Sequence, residues 1–474
     1  MLFSLCDFST RGVPVLAKLL AGGAILLAAA CAPVAPAAVV AKLGPGGRIV
    51  PPPASAAIEA NTELAGLLDS GPELAVAGER LNARLLRRFY AHHGFEPVWT
   101  TRQGQADALI NAVLHSGEHG LAPQLFHANL LQSPTMPPLQ RDMVLSDAFL
   151  SYADALARGI VPVERRRDDE TLTPEPIDVV TVLDAAITDP DPASAIEALA
   201  PTTPTYRLLR EALQKFHAGA PVGGKASTAS LREIEVNLER ERWLPRHLPA
   251  ERVWVNVADE RAELYQDDRS VFSTKVIVGQ DVPRNQSPEF QTMISGVWFN
   301  PPWNIPQDIA TNEILPKISQ DPNYLTEHNM VMLPDGTLQQ VAGANSGLGQ
   351  IMLDMRNRFD VYLHDTPSKN LFARDDRRIS HGCIRMEKPR EMTALLMRQS
   401  IEDIDQAIAA GGTTRSNLPQ PVPVFIVYET AFADADGRLQ FRPDVYGRDT
   451  EIWAQLDPER KALADSAPPS RRGG

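Results

Sequence analysis

Cysteine is scarce in this chain of 474 residues, which contains three, at Cys6, Cys31 and Cys383. Aromatic residues make up only 6% of the chain, and no block of a single charge sign runs along it. The 46 basic side chains are outnumbered by 59 acidic ones, giving a net charge of -13. This argues against binding to nucleic acid or to an anionic membrane surface, because both partners require a basic protein surface. The length and the hydrophobic fraction of 43% predict a folded, soluble protein of two or three domains.

Residues 1–37 have the pattern of an export signal. Arg11 and Lys18 precede the apolar run 19–30, which is too short to span a bilayer comfortably. Residues 27–31 resemble a bacterial lipobox, in which Cys31 would be lipidated and tether the protein to a membrane. Ordinary cleavage near residues 35–37 is the alternative. Both readings predict an exported protein, with an Ala/Pro-rich linker over 38–75.

Export would leave Cys383 as the single thiol of the mature chain, so no intramolecular disulfide is expected. A predicted strand ends at His364, and a loop then leads to the hexapeptide Ser-His-Gly-Cys-Ile-Arg at 380–385. Helical spacing begins just after Lys388. The thiol is therefore expected on a short connection between regular elements, with two histidines near it in the sequence.

These residue types suit nucleophilic catalysis, because a thiol attacks as thiolate and an imidazole can accept its proton. We assign Cys383 as nucleophile, His364 as general base and His381 as a supporting donor. Gly382 leaves room for a backbone oxyanion hole, and Arg385 suits a substrate that carries carboxylates. Two alternatives stay open on the chemistry alone: an inert packed thiol, and a zinc site of one cysteine and two histidines.

The fuller pattern, His364 followed after fifteen residues by residues 380–385, closely resembles the active-site signature of L,D-transpeptidases with a YkuD-type catalytic domain. Arg385 stands where the commonest pattern has Asn, a variant similar to the YcbB-like subgroup. Segments 236–240, 242–245, 299–306 and 313–317 are also similar to that subgroup. The resemblance implies no cofactor and no metal. It also implies that Ser380 positions the site. Tyr362, Trp303 and Asn304 would contact the substrate.

The predicted architecture is α+β and multidomain. Apolar residues recur at the spacing of amphipathic helices in segments 85–90, 106–114 and 146–156, which predicts a helical scaffold domain over 76–217. Short β-rich runs at the spacing of a β-sandwich predict a mostly β catalytic domain over 231–430. The resemblance implies a helical capping insertion at about 303–348. A flexible linker at 218–230 replaces the peptidoglycan-binding module that larger members of the subgroup carry, and 431–474 is predicted to be an extension with a disordered tail.

The function implied by this resemblance is cross-linking of peptidoglycan in the periplasm of a Gram-negative bacterium. A Cys383 acyl-enzyme would join two tetrapeptide stems by a 3-3 crosslink and release a terminal D-amino acid. If water intercepts the acyl-enzyme, the same residues make an L,D-carboxypeptidase, and attack on an existing crosslink makes an endopeptidase. The alternative of another class is a catalytically silent scaffold protein that binds the wall.

Overall fold

The computed structural model describes residues 54–69, 73–218 and 228–457. The predicted export signal with Cys31, most of the predicted linker at 218–230, and the tail from residue 458 lie outside the described residues. In the described ranges, no helix combines the length and apolar character that a bilayer crossing requires.

The N-terminal half is helical. Its helices are α1 Ala54–Leu68, α2 Ala83–His92, α3 Gln103–Leu114, α4 Ala128–Leu131, α5 Pro138–Arg158, α6 Val179–Ala186, α7 Pro192–Glu197 and α8 Pro204–His217, with a small hairpin of β1 Ala75–Val76 and β2 Glu79–Arg80. Side chains of Asn82, Asp178 and Thr203 cap α2, α6 and α8 by accepting backbone N–H bonds. The predicted scaffold helices are confirmed as α2, α3 and α5.

One predicted boundary is wrong. The linker predicted over 38–75 contains the helix α1, which begins at Ala54. Leu64 and Leu68 of this helix are fully buried. Their i, i+4 spacing puts both on one face, and burial of that face outweighs the Ala/Pro-rich character of the preceding segment.

The C-terminal half is built on a large mixed sheet. Its strands are β3 Arg252–Asn256, β4 Arg261–Gln266, β5 Arg269–Gly279 and β6 Phe290–Phe299, then, after the cap strands given below, β10 Ile351–Asp354, β11 Leu363–His364, β12 Arg378–Ser380, β13 Ile384–Met386 and β14 Thr414–Val427. The strand order is β12-β5-β13-β11-β10-β6-β14-β3-β4, and β4 also pairs with β5. This second pairing closes the sheet into a barrel. The predicted mostly β character is confirmed. The closure of the sheet is a finding of the structure, because strand spacing does not report whether a sheet closes on itself.

Apolar side chains from alternate strand positions fill the barrel. Val253, Val255, Leu353, Leu363 and Ile384 are among the fully buried residues of this core. Helices α13 Pro389–Met397 and α14 Ile401–Ala409 follow β13 and contribute further buried residues to the same core. The helix predicted just beyond the thiol is thus confirmed as α13.

Between β6 and β10 the chain forms a separate small unit, which we call the cap. It contains β7 Trp303–Asn304, α10 Gln307–Ile309, a π-helical turn at Ala310–Ile314, α11 Leu315–Gln320, α12 Tyr324–Glu327, β8 Met330–Met332 and β9 Leu338–Gln340. The strands form a three-stranded sheet in the order β7-β9-β8. Ile305, Ile309 and Leu338 anchor a small apolar cluster of its own. The predicted helical character is confirmed, and the structure adds this sheet.

The two halves share one apolar core. Helix α9, Thr228–Glu241, follows the predicted linker, and Ile234 and Leu238 of α9 are buried in the same cluster as the scaffold helices. Phe425 and Val427 of β14 belong to that cluster as well. The C-terminal elements β15 Ala431–Ala433, β16 Leu439–Phe441 and α15 Arg448–Leu456 complete the contact. The scaffold and the barrel are therefore packed as one unit.

Candidate active site

Two short parallel strands bring the predicted residues together. Strand β11 pairs with β13 so that Leu363 lies opposite Ile384 and His364 opposite Arg385. Leu363 and Ile384 are fully buried in the barrel core. Because successive side chains alternate between faces, His364 and Arg385 share the other face. Cys383 immediately precedes β13, and its thiol interacts electrostatically with Arg385. The fold thus gathers residues nineteen positions apart in the sequence into one site.

Cys383 is a free, half-buried thiol. Its Sγ lies 3.7 Å from the backbone oxygen of Asp360, toward which the S–H can donate. Burial raises the pKa of the Cys383 thiol above its ordinary value, while the backbone N–H of Tyr362 and the charge of Arg385 act in the opposite direction. The thiol is therefore protonated in the resting protein at neutral pH.

His364 is almost fully buried, with 3% of its surface exposed. Its Nδ1 lies 2.6 Å from the backbone oxygen of Asp365. Because a carbonyl oxygen can only accept, Nδ1 carries the hydrogen and Nε2 is the basic nitrogen of the neutral ring. Burial and, secondarily, Arg385 lower the pKa of His364 to about 4. The imidazole is therefore neutral at physiological pH and available as a proton acceptor.

The loop before β13 is held from within by Ser380. The hydroxyl of buried Ser380 donates to the backbone oxygen of Cys383 at 2.6 Å and accepts from the N–H of Gly382 at 3.2 Å. Gly382 has φ +109°, a conformation that other residues rarely adopt. The positioning role of Ser380 stays a prediction, and these two bonds are the contacts through which it would act.

The N–H of Gly382, predicted as an oxyanion-hole donor, is already engaged by Ser380. Within the described residues, by contrast, the N–H of Cys383 donates to no backbone or side-chain acceptor. The free amide at this position therefore belongs to Cys383, the residue after the predicted one.

His381 faces the cap. Its Nε2 lies 2.6 Å from Oε1 of Glu313, in the π-helical turn. This contact joins the cap to the loop at 380–383, which we call the nucleophile loop after the role predicted for Cys383. His381 is thus bound to a carboxylate that the sequence reasoning did not assign, and its other nitrogen, Nδ1, is the one left for a supporting role.

The predicted substrate contacts are divided between the barrel and the cap. Arg385 is half-buried, and its Nε has no hydrogen-bond partner. Tyr362 is partly exposed, with its hydroxyl 3.4 Å from Oδ1 of Asp360. Trp303 and Asn304 form β7 in the cap, and Asn304 accepts a 2.7 Å bond from Gln339. Arg385 and Tyr362 thus flank the thiol, whereas Trp303 and Asn304 belong to the capping sheet.

A cavity of about 400 Å³ opens beside the loop. Gly382, His381 and Val361 line one side of it, and Arg167 and Asp168 of the scaffold line the other. The scaffold therefore contributes part of the wall next to the nucleophile loop. Across the three described ranges, no group of three His, Cys, Asp or Glu side chains is arranged to hold a metal ion.

Sequence reasoning missed Ser287 and Glu313. Ser287 is fully buried, and its Oγ donates to the backbone oxygen of Gly382 at 2.8 Å. Neither residue lies within the motif or shows a pattern of its own. A signal was present only for Glu313, which lies within a segment similar to the YcbB-like subgroup.

Two family models match this chain. Residues 250–413 match the L,D-transpeptidase catalytic domain, YkuD, and residues 84–213 match the Scaffold domain. A Haemophilus influenzae protein named "Putative L,D-transpeptidase" is 27% identical over 398 residues, covering 78% of each chain.

Solved structures with lower similarity are also L,D-transpeptidases. The catalytic domain of the E. faecium L,D-transpeptidase acylated by ertapenem shows 12% identity and a TM-score of 0.21, covering 38% of this chain and 99% of that one. The Ldtfm-avibactam carbamoyl enzyme shows 12% identity and a TM-score of 0.22, covering 42% of this chain and 63% of that one. The present chain thus spans less than two thirds of the latter structure. The two family-model matches fall in the C-terminal and the N-terminal half of the chain respectively.

Proposed function

We propose that this chain, which carries an L,D-transpeptidase catalytic domain of the YkuD family at residues 250–413, forms 3-3 crosslinks in peptidoglycan through a Cys383 acyl-enzyme. The observation that carries the proposal is the placement of a free thiol, a buried neutral imidazole and a guanidinium beside the β11–β13 pair. The expected substrate is a tetrapeptide stem with a terminal D-residue.

In the first half-reaction, Sγ of Cys383 attacks the carbonyl carbon of the bond between the third residue and the terminal D-residue. Its proton passes to Nε2 of His364 as the S–C bond forms. Both groups are neutral at rest, so proton transfer accompanies attack rather than preceding it. Arg385 stabilises the negative charge that develops on sulfur.

The tetrahedral intermediate places a negative charge on the former carbonyl oxygen. The free N–H of Cys383 is the donor that supports this oxyanion. Collapse of the intermediate breaks the C–N bond, and His364 returns its proton to the departing amine. The products of this half-reaction are a thioester on Cys383 and a free D-amino acid.

In the second half-reaction, the side-chain amine of another stem attacks the thioester. His364 takes a proton from the amine and gives it to the departing sulfur, which restores the thiol. The net change exchanges one amide bond for another. Attack by water instead would release a tripeptide stem, which is the carboxypeptidase outcome.

Mass spectrometry of purified disaccharide-tetrapeptides incubated with the protein tests this proposal. We expect a dimer whose mass is that of two fragments less one D-alanine. Cys383→Ser should lower the rate by about 10³-fold or more, and its circular dichroism should match that of the wild type. Loss of D-alanine without a dimer would replace transpeptidation by hydrolysis, and no product from folded wild type would reject both.

A further inference from the structure

Ser287 lies directly beneath the nucleophile loop, in the turn that precedes β6. It is fully buried. Its hydroxyl donates to the backbone oxygen of Gly382 at 2.8 Å and accepts from the N–H of Gly279 at 3.0 Å. The single hydrogen that the hydroxyl can donate is therefore used on the residue next to Cys383.

The bond to Gly382 has a consequence set by peptide geometry. The backbone oxygen of Gly382 and the N–H of Cys383 belong to the same peptide unit, which is planar, and in the trans form they point in opposite directions. Holding the oxygen therefore fixes the direction of the N–H. This N–H is the free amide that we propose as the donor to the oxyanion.

Such a constraint is needed because glycine is permissive. Gly382 has φ +109° and no Cβ, so rotation of the adjoining peptide plane meets little steric resistance from its own side chain. Ser380 holds the N–H of Gly382, but that amide belongs to the preceding peptide unit. Ser287 is thus the side chain that orients the peptide between Gly382 and Cys383.

Ser287 is itself held from outside the barrel. The guanidinium of fully buried Arg448, in α15, donates to the backbone oxygen of Ser287 at 3.0 Å. The same guanidinium bonds Glu289 at 2.9 Å and Asp169 of the scaffold half at 2.8 Å. Arg448 therefore links the turn that carries Ser287 to both the scaffold half and α15.

We propose that Ser287 is a positioning residue that aims the N–H of Cys383 at the developing oxyanion, with Arg448 fixing the turn from which it acts. The inference rests on the proposed function for the role of that amide. It gives the scaffold half and α15 a part in the chemistry without any contact with substrate.

The test compares two reactions of the same thiol. Acylation by p-nitrophenyl acetate passes through an oxyanion, whereas alkylation by iodoacetamide does not. In Ser287→Ala we expect acylation to slow by about tenfold or more, with the alkylation rate changing less than twofold. Rates are taken above the Cys383→Ala background from protein whose circular dichroism matches that of the wild type, because an unfolded chain would expose the thiol to both reagents.

Two further variants sharpen the comparison. Ser287→Thr keeps the hydroxyl and should recover most of the acylation rate. Ser116→Ala is the matched control, because Ser116 is also fully buried and donates to a backbone oxygen, that of Leu121, at 2.8 Å, but lies in the scaffold. The ratio of acylation rate to alkylation rate in Ser116→Ala should equal that of the wild type.

An unchanged ratio in Ser287→Ala, or a parallel fall of acylation and alkylation, would overturn the proposal, because the hydroxyl would then have no role or only a structural one. The probe is independent of peptidoglycan. If the wild type is acylated by the ester but forms no product from wall fragments, the substrate assignment fails while the role of Ser287 is still decided. If wild-type Cys383 is not acylated above the Cys383→Ala background, nucleophile and inference fail together.

Discussion

At the scale of single residues, the site pairs a neutral thiol with a neutral imidazole. The pKa of His364 is lowered to about 4 by burial and by Arg385, and the pKa of Cys383 is raised by burial. An ion pair between these two groups is thus not the resting state. Protonation of His364 would remove the proton acceptor, so activity should persist well below neutral pH and fall as the pH drops through about 4.

Replacing Arg385 tests the origin of this low pKa. In Arg385→Asn the cation that opposes protonation of His364 is gone, so the acidic limb of kcat/KM should move upward by roughly one pH unit. Arg385→Lys retains the positive charge, so the acidic limb of its kcat/KM profile should lie close to that of the wild type. The measurement is kcat/KM between pH 3.5 and 8. Superimposable profiles for wild type and Arg385→Asn would show that burial alone sets the pKa.

The motif located the thiol and the imidazole that we propose as nucleophile and base, but not how they are held. The spacing of His364 and residues 380–385 is a local sequence signal, and the strand register then places His364 opposite Arg385. Ser287 could not be found in this way, because it reaches Gly382 across 95 positions through one hydrogen bond. The pKa of His364 depends on burial by the assembled fold, which no local pattern encodes.

At the scale of elements, the cap meets the nucleophile loop through one carboxylate. Glu313 lies in the π-helical turn between α10 and α11 and bonds His381 at 2.6 Å. An inserted π-turn re-aims side chains on a helix, and such turns are frequent at functional sites. The contact joins the cap to the loop. In the proposed mechanism it would limit the access of water to a thioester on Cys383.

Removing this carboxylate should change the fate of the acyl-enzyme. In Glu313→Ala we expect the ratio of hydrolysed stem to crosslinked dimer to rise up to about fivefold, since a partly exposed contact between two titratable side chains contributes about 1 kcal/mol at most. Glu327→Ala, an exposed glutamate elsewhere in the cap, should leave the ratio unchanged. Both products are quantified by mass spectrometry. A ratio that does not respond in Glu313→Ala would mean that the cap is held by other contacts.

Element prediction succeeded where the patterns were long. The helices at 85–90, 106–114 and 146–156 repeat an apolar face over several turns, and the structure contains them as α2, α3 and α5. The cap strands β7, β8 and β9 have two or three residues each, too few to display an alternation. The closure of the barrel could not be predicted from the sequence for another reason. It depends on which strands pair, including β4 with β5, and not on the composition of any one strand.

At the scale of the whole molecule, two buried carboxyl groups meet between the halves. Glu241, at the end of α9, is hydrogen-bonded to Glu429, which follows β14, and to the hydroxyl of Thr203. Burial raises the pKa of Glu241 to about 7 and that of Glu429 well above its usual value. The folded protein therefore holds a proton here that the unfolded chain, with ordinary glutamates, releases at lower pH.

This raised pKa gives stability a defined pH dependence. Between about pH 4.5 and 7 the folded state binds more protons than the unfolded state, so stability decreases as pH rises through that window and stays lower above it. Glu241→Gln removes the ionisation and keeps the hydrogen bonds. We expect its melting temperature to exceed that of the wild type at pH 8 by roughly 2 °C or more, with a smaller difference at pH 5.

Differential scanning calorimetry at the two pH values provides the comparison. Glu211→Gln, an exposed change on α8, serves as the control and should follow the wild type at both. If Glu241→Gln is less stable than the wild type at pH 8, the carboxylate form is the one that the interface requires, and the assigned direction of the pKa shift is wrong.

The sequence predicted the two halves of the protein, but not that they share one apolar core. The glycine-rich stretch after α8 reads as a linker, which favours domains that fold separately. The buried face of α9 instead joins the scaffold cluster together with Phe425 and Val427 of the barrel. Whether an amphipathic helix packs against the domain before it or the one after it depends on the complementarity of distant surfaces, which a single sequence does not display.

That shared core changes how the linker should be regarded. Helix α8 ends at His217 and α9 begins at Thr228, and both pack within the same apolar cluster. If the chain were cut between them, the two fragments should stay associated. The buried apolar contacts between the halves would hold them together without the peptide connection. For the same reason, an additional module could be gained or lost at this point in evolution while the framework that supports Cys383 stayed intact.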